Sequence, residues 1–231
     1  LKFKKNIFVE KPLSFKVQEI KNLSNIVKKN KLNFMVGYLL LHHPALIKLK
    51  SILKKQKKIL SIQSSRKSNG KIRPKDNVLW NLAIHDIAFL IDIFKKNLSI
   101  KKCINIRFKD KRIDLSQIYI KLKKQINYSG SFSWSHHQKH QNFSIKTSDK
   151  LFIFDDLKAE KLVQYDCGLI KDKLGNGKMR LSNMKIINYE KISPLENELN
   201  FFLDKVDNKK KYNNLDFTFY LSKILNSLCK Y

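Results

Sequence analysis

Glycine is scarce in this chain. Six occur in 231 residues, at Gly37, Gly70, Gly130, Gly168, Gly175 and Gly177, and no spacing among them makes a G-x-G-x-x-G. A loop that cradles a pyrophosphate against a helix N-terminus is therefore excluded from these residues. Cysteine is scarce too: Cys103, Cys167 and Cys229 are odd in number and far apart. They form no disulfide framework and no metal-ligand spacing, and they fit a reducing compartment, expected to be the cytoplasm. No apolar run reaches the length of about 20 residues that spans a bilayer. The longest candidate, "FMVGYLLL" (34–41), stops at His42-His43-Pro44. No secretory leader is recognisable, and the chain opens on Leu1 instead of Met. It reads as a piece cut from something longer.

Acidic residues are the next shortage, 19 against 48 lysines and arginines, for a formal net charge of +29. Such a balance ordinarily points to nucleic acid. Arginine, however, occurs only at Arg66, Arg73, Arg107, Arg112 and Arg180, and arginine is the residue of bidentate phosphate and base contacts. The lysines run along the whole chain among abundant Ile and Asn, as AT-rich coding would supply. Charge of this kind informs solubility and non-specific binding, so no nucleic-acid partner and no membrane partner is expected. At 42% hydrophobic the chain can bury a substantial core.

What is present is a clear run of elements. An apolar strand at 7–9 ends on Glu10-Lys11-Pro12, and Ser14 is positioned to cap a helix to about residue 30. Its stripe is Phe15, Ile20, Leu23, Ile26 and Val27, and a second strand follows at 33–37. This strand–helix–strand unit belongs to a parallel α/β layer. A helix at 45–55, a strand at 59–65 and a polar loop at 67–77 come next. Residues 78–94 are apolar almost throughout and too long for a strand, which predicts a buried helix carrying Asn81, His85 and Asp86. Alternating segments then recur at 103–108, 117–123, 126–135, 143–146, 151–154, 162–165 and 184–189, with turn signals at Ser129-Gly130 and Gly175-Asn176-Gly177. Strands in such close succession imply a mainly antiparallel sheet. Ser193-Pro194-Leu195-Glu196 is a capping box opening a helix to about residue 206, and a last helix covers 215–228. The expected fold is α+β, with a large, mainly antiparallel open sheet and helices on one face. The open face, taken as apolar, is expected to bury itself in a homo-oligomer.

Taken in order, "NIFVEKPLS" (6–14), "VGYLLLHHPALIKLK" (36–50) and "SSRKSNGKIRPKDNVLWNLAIHDI" (64–87) resemble one family, with "SWSHH" (133–137) and "LFIFDD" (151–156) in keeping. The chain is similar to the Gfo/Idh/MocA oxidoreductases, and within them to nucleotide-sugar dehydrogenases of amino-sugar and lipopolysaccharide biosynthesis. The resemblance implies an NAD or NADP cofactor and hydride transfer between nicotinamide and a sugar, such as a UDP-N-acetyl-hexosamine or its uronate. It also implies a division into residues 1–36, the end of a Rossmann domain, and 37–231, a substrate-binding and oligomerisation domain. Most of the Rossmann half, with its glycine-rich loop, is missing from these residues. A non-catalytic remnant that folds and associates is the competing reading.

Residue roles follow from the same resemblance. Lys11 and His85 are the catalytic pair, with Lys11 on the reacting hydroxyl and His85 as proton acceptor or relay. Glu10, Lys11 and Pro12 face the cofactor. Asn81, His43, Arg66, Arg73 and Trp80 contact substrate, and Arg66, Lys71 and Arg73 could clamp a diphosphate with forked donors. The family commonly has Asp where this chain has Asn81, four residues before the histidine and on the same helical face. Without that carboxylate His85 is expected to be less basic. Asp86 faces elsewhere and is read as a structural ion-pair residue. His136, His137 and His140 invite a zinc reading, but on a strand His137 points away from the other two and no Cys or carboxylate completes a set. No metal is expected.

Overall fold

The computed structural model of the protein describes residues 5–56, 58–69, 76–108, 111–123, 126–171, 175 and 177–231. Strands β1 (Ile7–Glu10) and β2 (Phe34–Gly37) pair in parallel, from Ile7 opposite Phe34 to Glu10 opposite Gly37, around helix α1 (Val17–Lys29). Parallel pairing requires a crossover, and α1 supplies it by burying Ile20 and Val27 completely. The helix is capped at Lys16, not Ser14. The Ser14 hydroxyl instead accepts from the Lys16 amide and donates to Glu19, closing a small turn ahead of the helix. The outer edge of β2 is sealed by residues 212–214. Tyr212 accepts from the Phe34 amide, and the Asn214 side chain exchanges two hydrogen bonds with Val36, as a neighbouring strand would.

Helix α2 (Pro44–Leu53) follows a 3₁₀ turn, Leu39–His42, and strand β3 (Ile59–Asn69) enters a second sheet. This strand runs four residues past the expected end, into what was read as loop. Residues 70–75, which include Gly70, Lys71, Arg73 and Pro74, lie outside the described residues. The expected helix over 78–94 has two parts, a π-helical turn at Leu79–Ala83 and helix α3 (Ile84–Phe94). Strands β4 (Leu98–Ile106), β5 (Leu115–Leu122), β6 (Asn127–Ser133), β7 (Ser135–Thr147), β8 (Lys150–Asp155), β9 (Leu162–Lys171) and β10 (Gly177–Ile186) complete the sheet. Helices α4 (Pro194–Asp207) and α5 (Leu215–Leu228) end the chain. Pro194 opens α4 as expected, but the Ser193 hydroxyl makes no capping bond.

The eight strands lie in the order β10-β9-β8-β7-β3-β6-β5-β4, antiparallel throughout except for β3 beside β6. The fold is thus α+β. Register explains which face is covered. Ile120, Tyr128, Ile62, Ile145 and Phe152 lie side by side across five strands, and all are buried. Phe89 of α3 packs on this face against Phe143, with ring centroids 5.1 Å apart. Each buried large apolar side chain contributes about 1.5–3 kcal/mol. One residue out of phase, the opposite face reads Tyr119, Ser129, Gln63, Ser144, Ile153, Val163 and Ile186. The centre of the uncovered face is therefore polar, with Gln117 hydrogen-bonded to Ser131. Its apolar residues lie toward the two ends, Ile153, Val163 and Ile186 on β8–β10 and Ile104, Ile106 and Tyr119 on β4–β5, which corrects the expectation of an apolar face throughout.

Ser129-Gly130 is not a turn but lies inside β6. Gly130 is required there because the Tyr128 side chain folds across it. A Cβ at this position would sit 2.3 Å from the Tyr128 hydroxyl oxygen. All three cysteines are free. No helix among the described residues is long and apolar enough to cross a membrane.

Candidate active site

Lys11 leaves the end of β1 at a cis Lys11-Pro12 bond, and its ammonium donates to the Asn81 carbonyl oxygen at 3.2 Å. The C-terminal ends of parallel strands are where α/β folds bind their ligands. Seventy residues of sequence separate Lys11 from Asn81, yet the fold brings them together. The π turn that carries Asn81 is held at its start by Asn77, whose side-chain oxygen accepts from the Leu79 and Trp80 amides at 3.0 and 3.1 Å. Single π turns interrupt α-helices frequently at functional sites.

His85 opens α3 one turn later. Burial holds its pKa well below the ordinary range, and the charges of Lys11 and then Arg66 press it further in the same direction. The imidazole is therefore neutral at physiological pH, with an unprotonated ring nitrogen whose basicity burial and the two charges weaken. The Asn81 side-chain amide donates to an Asp76 carboxylate oxygen at 2.8 Å. Residues four apart share a face on a π turn much as on an α turn, so Asn81 and His85 keep the expected side of the helix.

Arg66 is 5% exposed on strand β3, not in a loop, and its Nε donates to Asp86 Oδ1. Asp86 has no exposed surface, and burial raises its pKa against the opposing pull of Arg66. Its expected role in an ion pair is thus what the structure shows. Arg66 Nη2 and Asp86 Oδ2 are both buried without a hydrogen-bond partner. Below them the hydroxyls of Ser64 and Tyr128 meet at 2.7 Å. Burial, then the charge of Asp86, drives the Tyr128 pKa well upward. This polar cluster inside an apolar core pins the first turn of α3 to β3, directly beneath His85.

The other substrate-contact candidates lie elsewhere. Trp80 is 3% exposed and belongs to the core, with its ring edge-on to Phe15. His43 is buried at the start of α2, where Nδ1 accepts from the Ala45 amide and Nε2 lies 3.4 Å from Asp156. That contact, with Lys161, holds the Asp156 carboxyl well below its ordinary pKa. Both side chains are spent on packing, capping and pairing. Arg73 lies outside the described residues. The His136 ring stacks on His137 at 4.7 Å and meets His140 edge-on at 5.0 Å, so His137 does not point away as strict alternation required. Among the described residues no group of three His, Cys, Asp or Glu side chains is arranged to hold a metal. Trp134 is buried, donating from Nε1 to Asp114 at 2.8 Å.

Two participants escaped the sequence reading. Asp76 closes the π turn on Asn81, and Glu198 lies buried in α4 beside Glu10. A buried acid inside the apolar run "ELNFF" (198–202) was the available signal for the second.

The sequence matches no protein-family model and no curated protein. Solved structures do match over nearly the whole chain. UDP-N-acetylglucosamine 3-dehydrogenase GnnA from Acidithiobacillus ferrooxidans superposes with a TM-score of 0.82 at 16% identity, covering 98% of this chain and 71% of that one. The dehydrogenase MviM from Clostridium difficile gives 0.74 at 18%, covering 97% and 71%. KijD10, a 3-ketoreductase from Actinomadura kijaniata in complex with TDP-benzene and NADP, gives 0.72 at 12%, covering 96% and 69%. These likenesses show a shared fold, the α+β architecture described above.

Proposed function

We propose that the chain is the substrate-binding part of an NAD(P)-dependent sugar oxidoreductase, acting on a nucleotide sugar such as a UDP-N-acetyl-hexosamine or its uronate. The observation that carries this reading is the meeting of Lys11, at the end of a parallel strand, with the π turn that leads into a neutral His85. Support also comes from structural neighbours that are a UDP-sugar 3-dehydrogenase and an NADP-bound 3-ketoreductase. Residues 1–36 then belong to the dinucleotide-binding domain and 37–231 to the substrate and association domain, with amino-sugar or cell-surface polysaccharide synthesis as the setting. Association through the uncovered sheet face belongs to the same proposal, centred on its apolar β8–β10 end.

The residues present fit the nicotinamide end of the cofactor. Glu10, Lys11 and Pro12 stand at the ends of parallel strands, whereas no glycine-rich loop is present to hold the pyrophosphate. When bound, the nicotinamide supplies the hydride acceptor. Lys11 hydrogen-bonds the reacting hydroxyl oxygen and stabilises the negative charge that grows on it as the C–H bond breaks. His85, kept neutral, accepts the hydroxyl proton, so that the alcohol carbon becomes a carbonyl. The Asn81 carbonyl fixes the Lys11 ammonium. The Arg66–Asp86 pair fixes the helix start that carries His85. Saturation-transfer NMR with UDP-N-acetylglucosamine tests substrate binding on the chain as it stands. Transfer to the sugar protons that weakens in Lys11→Ala supports the reading, and no transfer at millimolar sugar counts for a folded domain that only associates.

A further inference from the structure

Glu198 has no exposed surface, and neither of its carboxylate oxygens meets a donor at good hydrogen-bond geometry; the Tyr38 backbone amide approaches and only partly offsets the cost of burial. It projects from α4 toward the end of the β1–β2 pair. There Glu198 Oε1 and Glu10 Oε1 lie 3.4 and 3.5 Å from the point that a Cβ at Gly37 would occupy. The absent side chain at Gly37 thus leaves both carboxyl groups bordering the same space. His42 Nε2 is 4.0 Å from Glu198 Oε1, but its pKa is lowered to about 4, mainly by burial, so it offers no cation. The neighbours from each packed element are Glu10 on β1, His42 on the 3₁₀ turn and Tyr212 ahead of α5. Asp92 of α3 adds another negative charge behind His42 and Tyr212. None of them neutralises a Glu198 anion. A carboxylate removed from water with only one weak amide donor and a like charge nearby takes up a proton instead.

We propose that Glu198 is protonated and donates to the Glu10 carboxylate, and that this shared-proton pair ties α4 to the strand end from which Lys11 projects. Glu198 is thus a positioning residue for Lys11, one that contacts neither substrate nor cofactor. Burial, reinforced by the Glu10 charge, raises its pKa to about 7, so the pair is present at neutral and mildly acidic pH and opens above it. The importance of holding Lys11 rests on the proposed function, but the pair itself is read without turnover.

Infrared difference spectroscopy of the wild-type chain, titrated across neutral pH, tests the pair. The acid carbonyl stretch of a single carboxyl should disappear with a midpoint near pH 7. It should be absent from Glu198→Gln at every pH in that range. In Glu10→Gln the midpoint should move to lower pH, an outcome that remains readable if Glu198→Gln does not fold. No acid band at pH 6 in folded wild-type protein overturns the inference, as does a band that persists in Glu198→Gln. The Lys11 ε-methylene NMR resonances test the positioning half. They should shift in Glu198→Ala, and unchanged resonances in a folded variant overturn it. Absence of sugar turnover would sink the proposed function and leave the spectroscopic result standing.

Discussion

Asp86 holds the buried Arg66 guanidinium, and removing one partner of such a pair leaves the other charge stranded in the core. Asp86→Ala should therefore lower unfolding free energy by about 3–5 kcal/mol, measured by urea denaturation. Replacing both at once, Arg66→Met with Asp86→Leu, should recover most of that loss, because no buried charge remains. A double variant as unstable as the single one would show that the pair is more than an internal neutralisation. Asn81 invites a second test. An aspartate there would face Asp76 across the present 2.8 Å hydrogen bond. Asn81→Asp should lose stability by about 1 kcal/mol or more, and Asp76→Asn in the same chain should restore it by exchanging donor and acceptor. Asp86 was legible from its place on the helix, since adjacent residues point in different directions. The partners of Arg66, Trp80 and His43 were not, because exposure is set by long-range packing that spacing along a chain does not encode.

At the level of elements, hydrophobic period found a part of each strand and α-helix among the described residues, while bounds and turns carried the errors, as where β10 (Gly177–Ile186) starts well ahead of the expected 184–189. Ser129-Gly130 carries a turn signature, yet β6 runs through it because the glycine accommodates the Tyr128 ring. Gly130→Ala should cost about 1–3 kcal/mol by overpacking, read as a lower midpoint of thermal unfolding, while Gly175→Ala should be limited to the strain of its positive φ. The Tyr128 hydroxyl must move for any added carbon, and its hydrogen bond to Ser64 moves with it. The apolar stretch 78–94 named a buried helix correctly, but a π turn and an α-helix have the same composition. What distinguishes them here is the anchoring of Asn77 and Asp76 at one end and the Arg66–Asp86 pair at the other. Both are contacts in space.

For the whole molecule, titration of Glu198 should leave a mark on stability. Its pKa is raised from 4.5 to about 7, so its contribution is full below pH 4.5 and is lost as pH rises through 7. The melting-temperature difference between wild type and Glu198→Gln should accordingly shift against the wild type across that window and level off above it. A flat difference would mean that Glu198 stays in one state throughout. The parallel strand pair and the eight-stranded sheet were legible as a pattern of short apolar periods, and so was the α+β class. The polar centre of the uncovered face was not, because the expectation considered sheet width and not the identity of residues such as Gln63, Ser129 and Ser144. The central claim is that Lys11 acts on a sugar hydroxyl beside a neutral His85. Its most direct test joins a strand–G-x-G-x-x-G–helix dinucleotide-binding half ahead of Leu1 and follows nicotinamide reduction with UDP-N-acetyl-hexosamines, comparing wild type with Lys11→Ala. The account predicts sugar-dependent reduction that falls by about 10²–10⁴-fold in Lys11→Ala, with dinucleotide binding retained. Equal turnover in the two proteins, or none in a wild type that binds the dinucleotide, would contradict it.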